Sequence, residues 1–299
     1  MVTRRWMLSV AAGLALLMTA APAPAQDKLK VLATFSILGD FVKNVGGDRI
    51  EVATLVGPNS DAHVYAPAPA DAKKVADAKV VIVNGLGYEG WMSRLAKASG
   101  SKAPVVVASK GVKERKAAGG HGHGGADPHA WQSVANAKVY VANIRDALIA
   151  ADPAGKAAYE ANAAAYLGKL DALDADVKAA VAAIPADRRK IISTHDAFGY
   201  FQQAYGVEFI APQGVSTEAE PSARDVARII TQVKKQKIPA VFLENIADPR
   251  LMERIAHESG ARIGGKLYSD ALTDEKGDAP TYLDMMRHNI KQISTALMS

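Results

Sequence analysis

Asp152-Pro153, the segment Ala154–Ala183 and the closing Ile184-Pro185 read DPAGKAAYEANAAAYLGKLDALDADVKAAVAAIP, and this stretch decides the fold. Asp-Pro is a helix-start signal, and the final Ile-Pro stops the helix. Between them alanine, leucine and lysine dominate, and the only glycines are Gly155 and Gly168. A helix of roughly 30 residues spans about 45 Å. That is long enough to run from one lobe of a protein to another.

On both sides of this helix, short β-branched runs alternate with amphipathic or alanine-rich segments. Upstream, the spacing predicts strands at Lys30–Phe35, Glu51–Val56, Val80–Asn84 and Val105–Ala108, with helices at Leu38–Val45, Ala70–Ala78, Tyr88–Ala98 and Ser133–Ala150. Downstream it predicts strands at Lys190–Thr194, Glu208–Ala211, Ala240–Leu243 and Arg262–Leu267. The helices there are Ala197–Tyr205, Ser222–Lys237, Pro249–Glu258 and Thr281–Met298. Such alternation implies parallel sheets covered by helices. The expected architecture is α/β: an N-terminal lobe over 26–151, a rigid linking helix over 152–185 and a C-terminal lobe over 186–299. No sequence repeat relates the lobes.

Residues 1–25 stand outside that fold. Met1–Arg5 carries two arginines and no acid, Trp6 to Ala21 is uncharged and apolar, and Ala23-Pro24-Ala25 offers a cleavage site. This is the order of a secretory signal peptide, and the apolar run is shorter than the ~20 residues of a spanning helix. Thr3-Arg4-Arg5 has a single arginine pair, which leaves the general and twin-arginine export routes open. Cleavage after Ala25 leaves 274 of the 299 residues, and the net charge falls from +5 to about +3 because Arg4 and Arg5 go. Nothing in that balance points to nucleic acid. The absence of cysteine excludes disulfides, thiolate metal sites and a lipid-carrying cysteine. The expectation is a soluble, monomeric periplasmic protein.

Three of the seven histidines lie where a strand-derived loop turns into a helix: His63 in Asp61-Ala-His-Val-Tyr65, His129 in Asp127-Pro-His-Ala-Trp131, and His195 in Ser193-Thr-His-Asp-Ala197. Asp270, in Tyr268-Ser-Asp-Ala-Leu272, follows the last strand. Loops at the carboxyl ends of parallel strands are where ligands bind in open α/β sheets. A lone loop histidine is more often solvated than a ligand; the shared setting of three is what carries weight. Three imidazoles and a carboxylate suit zinc, which accepts nitrogen and oxygen donors.

These motifs occur in a fixed order, together with Pro67-Ala-Pro69, Asn84-Gly85…Glu89, Phe198-Gly-Tyr200 and Ile246-Ala-Asp-Pro249. The set resembles the periplasmic zinc/manganese-binding components of metal ABC importers, the cluster A-I substrate-binding proteins, over essentially the whole mature chain. The resemblance implies two α/β lobes joined by one long helix, and metal ligands at His63, His129, His195 and Asp270. It also implies high-affinity Zn²⁺ binding in the periplasm for delivery to an inner-membrane ABC permease, with a periplasmic metallochaperone as a further candidate partner. Two departures stand out. Asp61-Ala62-His63 replaces the family's frequent Asp-Pro-His, and the long His- and acid-rich loop of zinc-specific members is reduced to His121-Gly-His123-Gly-Gly. In this family a histidine at the third ligand position goes with zinc and a glutamate with manganese, so His195 favours zinc over Mn²⁺. Imidazole suits zinc, whereas manganese is better matched by oxygen donors.

The remaining groups have plainer readings. His121 and His123 sit in a Gly/Ala-rich segment that reads as a solvated loop or a metal-catching flap. His257 and His288 read as structural, Met285 and Met286 as core fillers, and Glu218 and Glu220 as charge before a helix N-terminus. Asp196 is a candidate for capping the next helix or for orienting a ligating imidazole, and Glu89 for a similar orienting role in the first lobe. The rival function is a periplasmic zinc hydrolase, with three histidines and an open position for water. Neither H-E-x-x-H nor G-x-S-x-G occurs to support it. Opening is expected to be local, at the Asp270 loop or the His121 flap.

Overall fold

The computed structural model describes residues 27–117 and 125–298. The expected signal peptide and the His121/His123 segment lie outside the described residues.

The N-terminal half runs β1 (Leu29–Phe35), α1 (Ser36–Gly46), β2 (Ile50–Val56), α2 (Pro69–Asp77), β3 (Val80–Val83), α3 (Met92–Ser99), β4 (Val105–Val107) and α4 (Val134–Ala151). Then comes the long helix α5 (Lys156–Ala182). The C-terminal half runs β5 (Lys190–Ile192), α6 (Gly199–Tyr205), β6 (Glu208–Ile210), α7 (Ala223–Gln236), β7 (Ala240–Glu244), α8 (Arg250–Ser259), β8 (Arg262–Leu267) and α9 (Tyr282–Met298). Each half holds a four-stranded parallel sheet, in the orders β2-β1-β3-β4 and β6-β5-β7-β8. The two lobes therefore share one wiring although no sequence repeat relates them. Wiring follows from right-handed strand–helix–strand crossovers, which constrain topology without constraining residue identity.

The strands are short and rich in valine and isoleucine because helices bury both faces of each sheet; Val80, Val81, Ile82 and Val83 are all buried. Helix α7 buries Val226, Ile229, Ile230 and Val233 at helical spacing. Ser222 caps it by accepting the Asp225 N–H, and Lys237 ends it in the left-handed conformation at φ 52°.

Helix α5 presents Tyr159, Ala163, Tyr166, Leu170, Leu173, Val177 and Val181 to the interior. It packs on α1 and α4 of the first lobe and on α9 of the second. One continuous apolar core thus runs through both lobes, from Val31 to Leu297, while a smaller cluster lies under α7 and α8. Met285 and Met286 belong to the shared core. Polar ties reinforce it: Tyr282 donates its hydroxyl to the Trp131 carbonyl at 2.6 Å and its N–H to Asp40 at 3.0 Å.

One expected helix is shorter than the sequence suggests. The Tyr88–Ala98 pattern becomes helical only at Met92. Gly85, Leu86 and Gly87 all have positive φ, and the turn they form lets Tyr88 and Trp91 point into the core instead. No helix among the described residues is long and apolar enough to cross a membrane.

Candidate metal centre

Three of the predicted ligands lie in loops just beyond the carboxyl ends of strands, His63 after β2, His195 after β5 and Asp270 after β8, while His129 ends the longer connection after β4 and directly precedes the turn into α4. Two come from each lobe, and they meet in one buried cluster whose ligand atoms lie within 4.8 Å of one another.

Local hydrogen bonds aim each group. In the first lobe Asp61 Oδ1 accepts the His63 N–H at 2.8 Å, and Trp91 donates to the Ala62 carbonyl at 2.8 Å. The same two-residue offset recurs at His129, whose N–H donates to Asp127 Oδ1 at 3.0 Å. Here the carboxylate also receives the ring: Nδ1–H of His129 donates to Asp127 Oδ1 at 2.8 Å. Arg115 donates to the other Asp127 oxygen at 2.7 Å. In the second lobe His195 Nδ1–H donates to Glu244 Oε2 at 2.6 Å. Ser269 Oγ donates to the same oxygen at 2.8 Å. The Ser269 carbonyl, next to Asp270, accepts from Trp131 Nε1 at 2.9 Å and Gln132 Nε2 at 2.7 Å.

A carboxylate can only accept, so Asp127 and Glu244 keep a proton on Nδ1 of each ring, and Nε2, facing inward, is the nitrogen left to take up a proton or an ion. The Nε2 atoms of His63 and His129 are 3.2 Å apart. Asp270 Oδ2 stands 3.1 Å from His63 Nε2, 3.5 Å from His129 Nε2 and 3.3 Å from His195 Nε2. Donors arranged tetrahedrally about an ion with zinc–nitrogen and zinc–oxygen distances would stand about 3.4 Å apart. His195 Nε2 and both Asp270 oxygens are buried without an aligned hydrogen-bond partner. Buried polar atoms left unpaired are costly. A cation at their common focus satisfies all of them at once.

The electrostatics agree. Burial opposes ionisation of Asp270, yet the facing imidazoles of His129 and His195 hold its carboxyl well below the usual carboxylate range. Burial would likewise lower His129, but the Asp270 charge and the Asp127 hydrogen bond push it up to about 9. His195 is raised well above the ordinary imidazole value, because Glu244 and Asp270 outweigh burial. For His63 burial dominates and the shift is downward.

The groups that orient the rings are Asp127 and Glu244, which corrects the expectation of Asp196 and Glu89. Glu89 instead anchors the β3 exit, accepting from Thr34 Oγ1 at 2.6 Å and from the N–H groups of Asn84 and Gly85 at 2.6 and 3.1 Å. Asp196 uses its backbone N–H to bind the Gly214 carbonyl at 3.2 Å. Two signals for the true partners were present: Asp127 repeats the spacing of Asp61 to His63, and Glu244 is an acid ending an apolar strand. His257 is exposed at the end of α8, and His288 meets the Lys266 carbonyl at 3.0 Å and packs edge-to-face with Tyr268; neither is in the cluster.

The sequence profile of the family described as "Zinc-uptake complex component A periplasmic" matches residues 31–296. The chain is 37% identical over 271 residues to the manganese-binding lipoprotein MntA of Halalkalibacterium halodurans, covering 91% of this chain and 89% of the relative. It is 33% identical over 273 residues to the iron-binding protein YfeA of Yersinia pestis, covering 91% and 88%. The structure is similar to the periplasmic zinc binding protein TroA from Treponema pallidum, with a TM-score of 0.85 and 31% identity over 91% of this chain and 99% of that one.

Proposed function

The chain belongs to the periplasmic metal-binding components of ABC importers, and we propose that within this family it is a zinc carrier whose His63, His129, His195 and Asp270 together hold one Zn²⁺. As a substrate-binding component it serves an inner-membrane permease and its ATPase, and it is not an enzyme. The periplasmic hydrolase reading is thereby set aside.

The observation that carries the zinc reading is the donor set: three Nε2 atoms and one carboxylate oxygen with mutual separations suited to a small tetrahedral ion. Imidazoles whose Nδ1–H is held by a carboxylate are more basic donors, which favours a borderline ion over a hard one. The ion arrives as cargo. His129 and His195 give up their Nε2 protons to receive it, so a dication replaces two proton charges in a buried site. That exchange avoids burying extra net charge. The reading needs no metallochaperone to load the site.

A manganese reading has its own support. Both oxygens of Asp270 lack hydrogen-bond partners and could chelate together, which would enlarge the shell toward the higher coordination that oxygen-seeking ions take. Relatives named for manganese, such as that of Halalkalibacterium halodurans, point the same way.

Isothermal titration of chelator-stripped mature protein with zinc, with manganese, and with the Asp270→Ala variant separates the readings. Zinc carriage predicts one tight zinc equivalent, weaker manganese and a large loss in the variant. Tighter manganese would overturn the metal but leave the transport role. Undiminished zinc binding by Asp270→Ala would remove that residue from the ligand set.

A further inference from the structure

The four ligand groups are not equally enclosed. His129, His195 and Asp270 are fully shielded from solvent, whereas His63 is 9% exposed and the next residue, Val64, is 53% exposed. His63 is therefore the least enclosed of the four groups around their common focus.

That side is closed by a contact between lobes. Asp61, whose Oδ1 holds the His63 N–H at 2.8 Å, accepts the Thr217 hydroxyl on its other oxygen at 2.5 Å. Thr217 lies in the connection between β6 and α7. That connection is braced as a unit, because Gln213 Nε2 donates to the carbonyls of Thr217 at 3.1 Å and Ala219 at 2.9 Å. Its base is tied to the His195 segment by the His195–Gln213 bridge and by the Asp196 N–H to the Gly214 carbonyl. Thus one carboxylate links the backbone of a ligand from the first lobe to a loop rooted beside a ligand from the second.

The opposite side is held more firmly. The Asp270 segment is fixed through Trp131 and Gln132 on the Ser269 carbonyl, through Asn289 on the Tyr268 N–H at 2.9 Å and carbonyl at 2.8 Å, and through Ser36 Oγ, which accepts the Leu272 N–H at 3.0 Å. The His63 loop has fewer ties: Trp91 holds the Ala62 carbonyl at 2.8 Å within its own lobe, and across the lobes the Asn59 N–H reaches the Leu272 carbonyl at 2.8 Å, Asn245 Nδ2 reaches Asn59 Oδ1 at 3.1 Å and Thr217 reaches Asp61. Of these cross-lobe bonds only the one from Thr217 acts on the carboxylate that holds the His63 N–H, and a more exposed loop opens at lower cost than a buried one.

We infer that Asp61 and Thr217 are positioning residues for ion exchange: their hydrogen bond keeps His63 in the ligand set, and its opening sets the rate at which the ion leaves. This deepens the metal-carrier reading and rests on it. Breaking the bond exposes the His63 loop without altering a donor atom. Release of the ion therefore begins at His63 and not at the Asp270 loop, one of the two places, with the His121 flap, that the sequence suggested.

The test is stopped-flow transfer of zinc from loaded protein to an excess of a chromophoric chelator. Thr217→Val, which keeps the shape and deletes the hydroxyl, should release zinc about tenfold faster, the effect of losing one hydrogen bond to a charged group. Thr217→Ser, which restores the donor, should release at the wild-type rate, and Asp61→Asn should fall between. Ser36→Ala, which loosens the Asp270 side, should leave release unchanged. Faster release from Ser36→Ala with an unchanged rate for Thr217→Val would overturn the inference while leaving zinc carriage intact. Failure of the wild type to take up zinc would overturn both. Equal losses of thermal stability in metal-free Thr217→Val and Ser36→Ala with no change in either release rate would also overturn it, leaving the contact a merely structural one.

Discussion

Glu244, the last residue of β7, accepts the Nδ1 hydrogen of His195 at 2.6 Å on one oxygen and the backbone N–H groups of Thr194 and His195 at 2.8 and 3.1 Å on the other. One buried carboxylate therefore sets the position, tautomer and basicity of a ligand that it never shares an ion with. Replacing it by Gln puts an amide donor opposite Nδ1 and favours the wrong tautomer. Glu244→Gln is expected to weaken zinc affinity about 10- to 100-fold, as does loss of other ligand-orienting carboxylates. Competition titration against a chelator of known affinity measures it. An affinity within about twofold of wild type would show that His195 needs no such partner.

Metal uptake should release protons. With His129 at about 9 and His195 raised well above the ordinary imidazole value, both rings carry a second proton at neutral pH in the metal-free protein, whereas burial shifts His63 downward. Binding at pH 7 is then expected to expel about two protons per ion. Protons compete with the metal, so apparent affinity falls as pH falls, by up to about a hundredfold per unit. Titration calorimetry in buffers of different ionisation enthalpy counts the protons directly. A count near zero would mean that the rings are already neutral.

The four residues that meet in the cluster were legible in the sequence because each sits in its own short motif. Their partners were harder to see. His195 and Glu244 are 49 positions apart and become neighbours only because β5 pairs with β7. Asp196, adjacent in sequence to His195, looked the better candidate, but a residue's immediate neighbour points along the chain and not at its ring. The long helix was readable from its breakers, although α5 itself starts at Lys156 after a tight turn over Pro153–Gly155. Asp152 is drawn instead into contacts with Arg49 at 2.8 Å and Tyr159 at 2.8 Å. The Tyr88–Ala98 periodicity was overridden at its start by the demand for two aromatic rings beneath the site.

Since α5 carries one apolar core through both lobes, the lobes should unfold together. Leu170→Ala, at a fully buried position on α5, is expected to cost about 2–5 kcal/mol. Scanning calorimetry should show one transition moved to lower temperature. Two separated transitions would show that each lobe keeps its own core.

Acid sensitivity has an identifiable contributor. Burial would raise the Asp71 carboxyl, but Tyr65 Oη–H at 2.7 Å, the Ala68 N–H at 2.8 Å and Lys74 at 3.0 Å hold it below the ordinary aspartate range. A depressed folded-state pKa gives stability that is present above about pH 4 and lost as pH falls through the folded value. Asp71→Asn should therefore be less stable than wild type near neutrality, by about 1–2 kcal/mol, with the gap narrowing in acid. Urea unfolding at several pH values follows it. A constant gap would mean that the carboxyl's charge plays no part.

We propose that His63, His129, His195 and Asp270 hold the transported ion together. X-ray absorption at the zinc edge of protein loaded with one equivalent tests it most directly. Three imidazole nitrogens at about 2.0–2.1 Å and one carboxylate oxygen at about 2.0–2.2 Å are expected, with one imidazole lost from the spectrum of His195→Ala. A wild-type shell with fewer than three imidazoles, or a spectrum indifferent to His195→Ala, would contradict it.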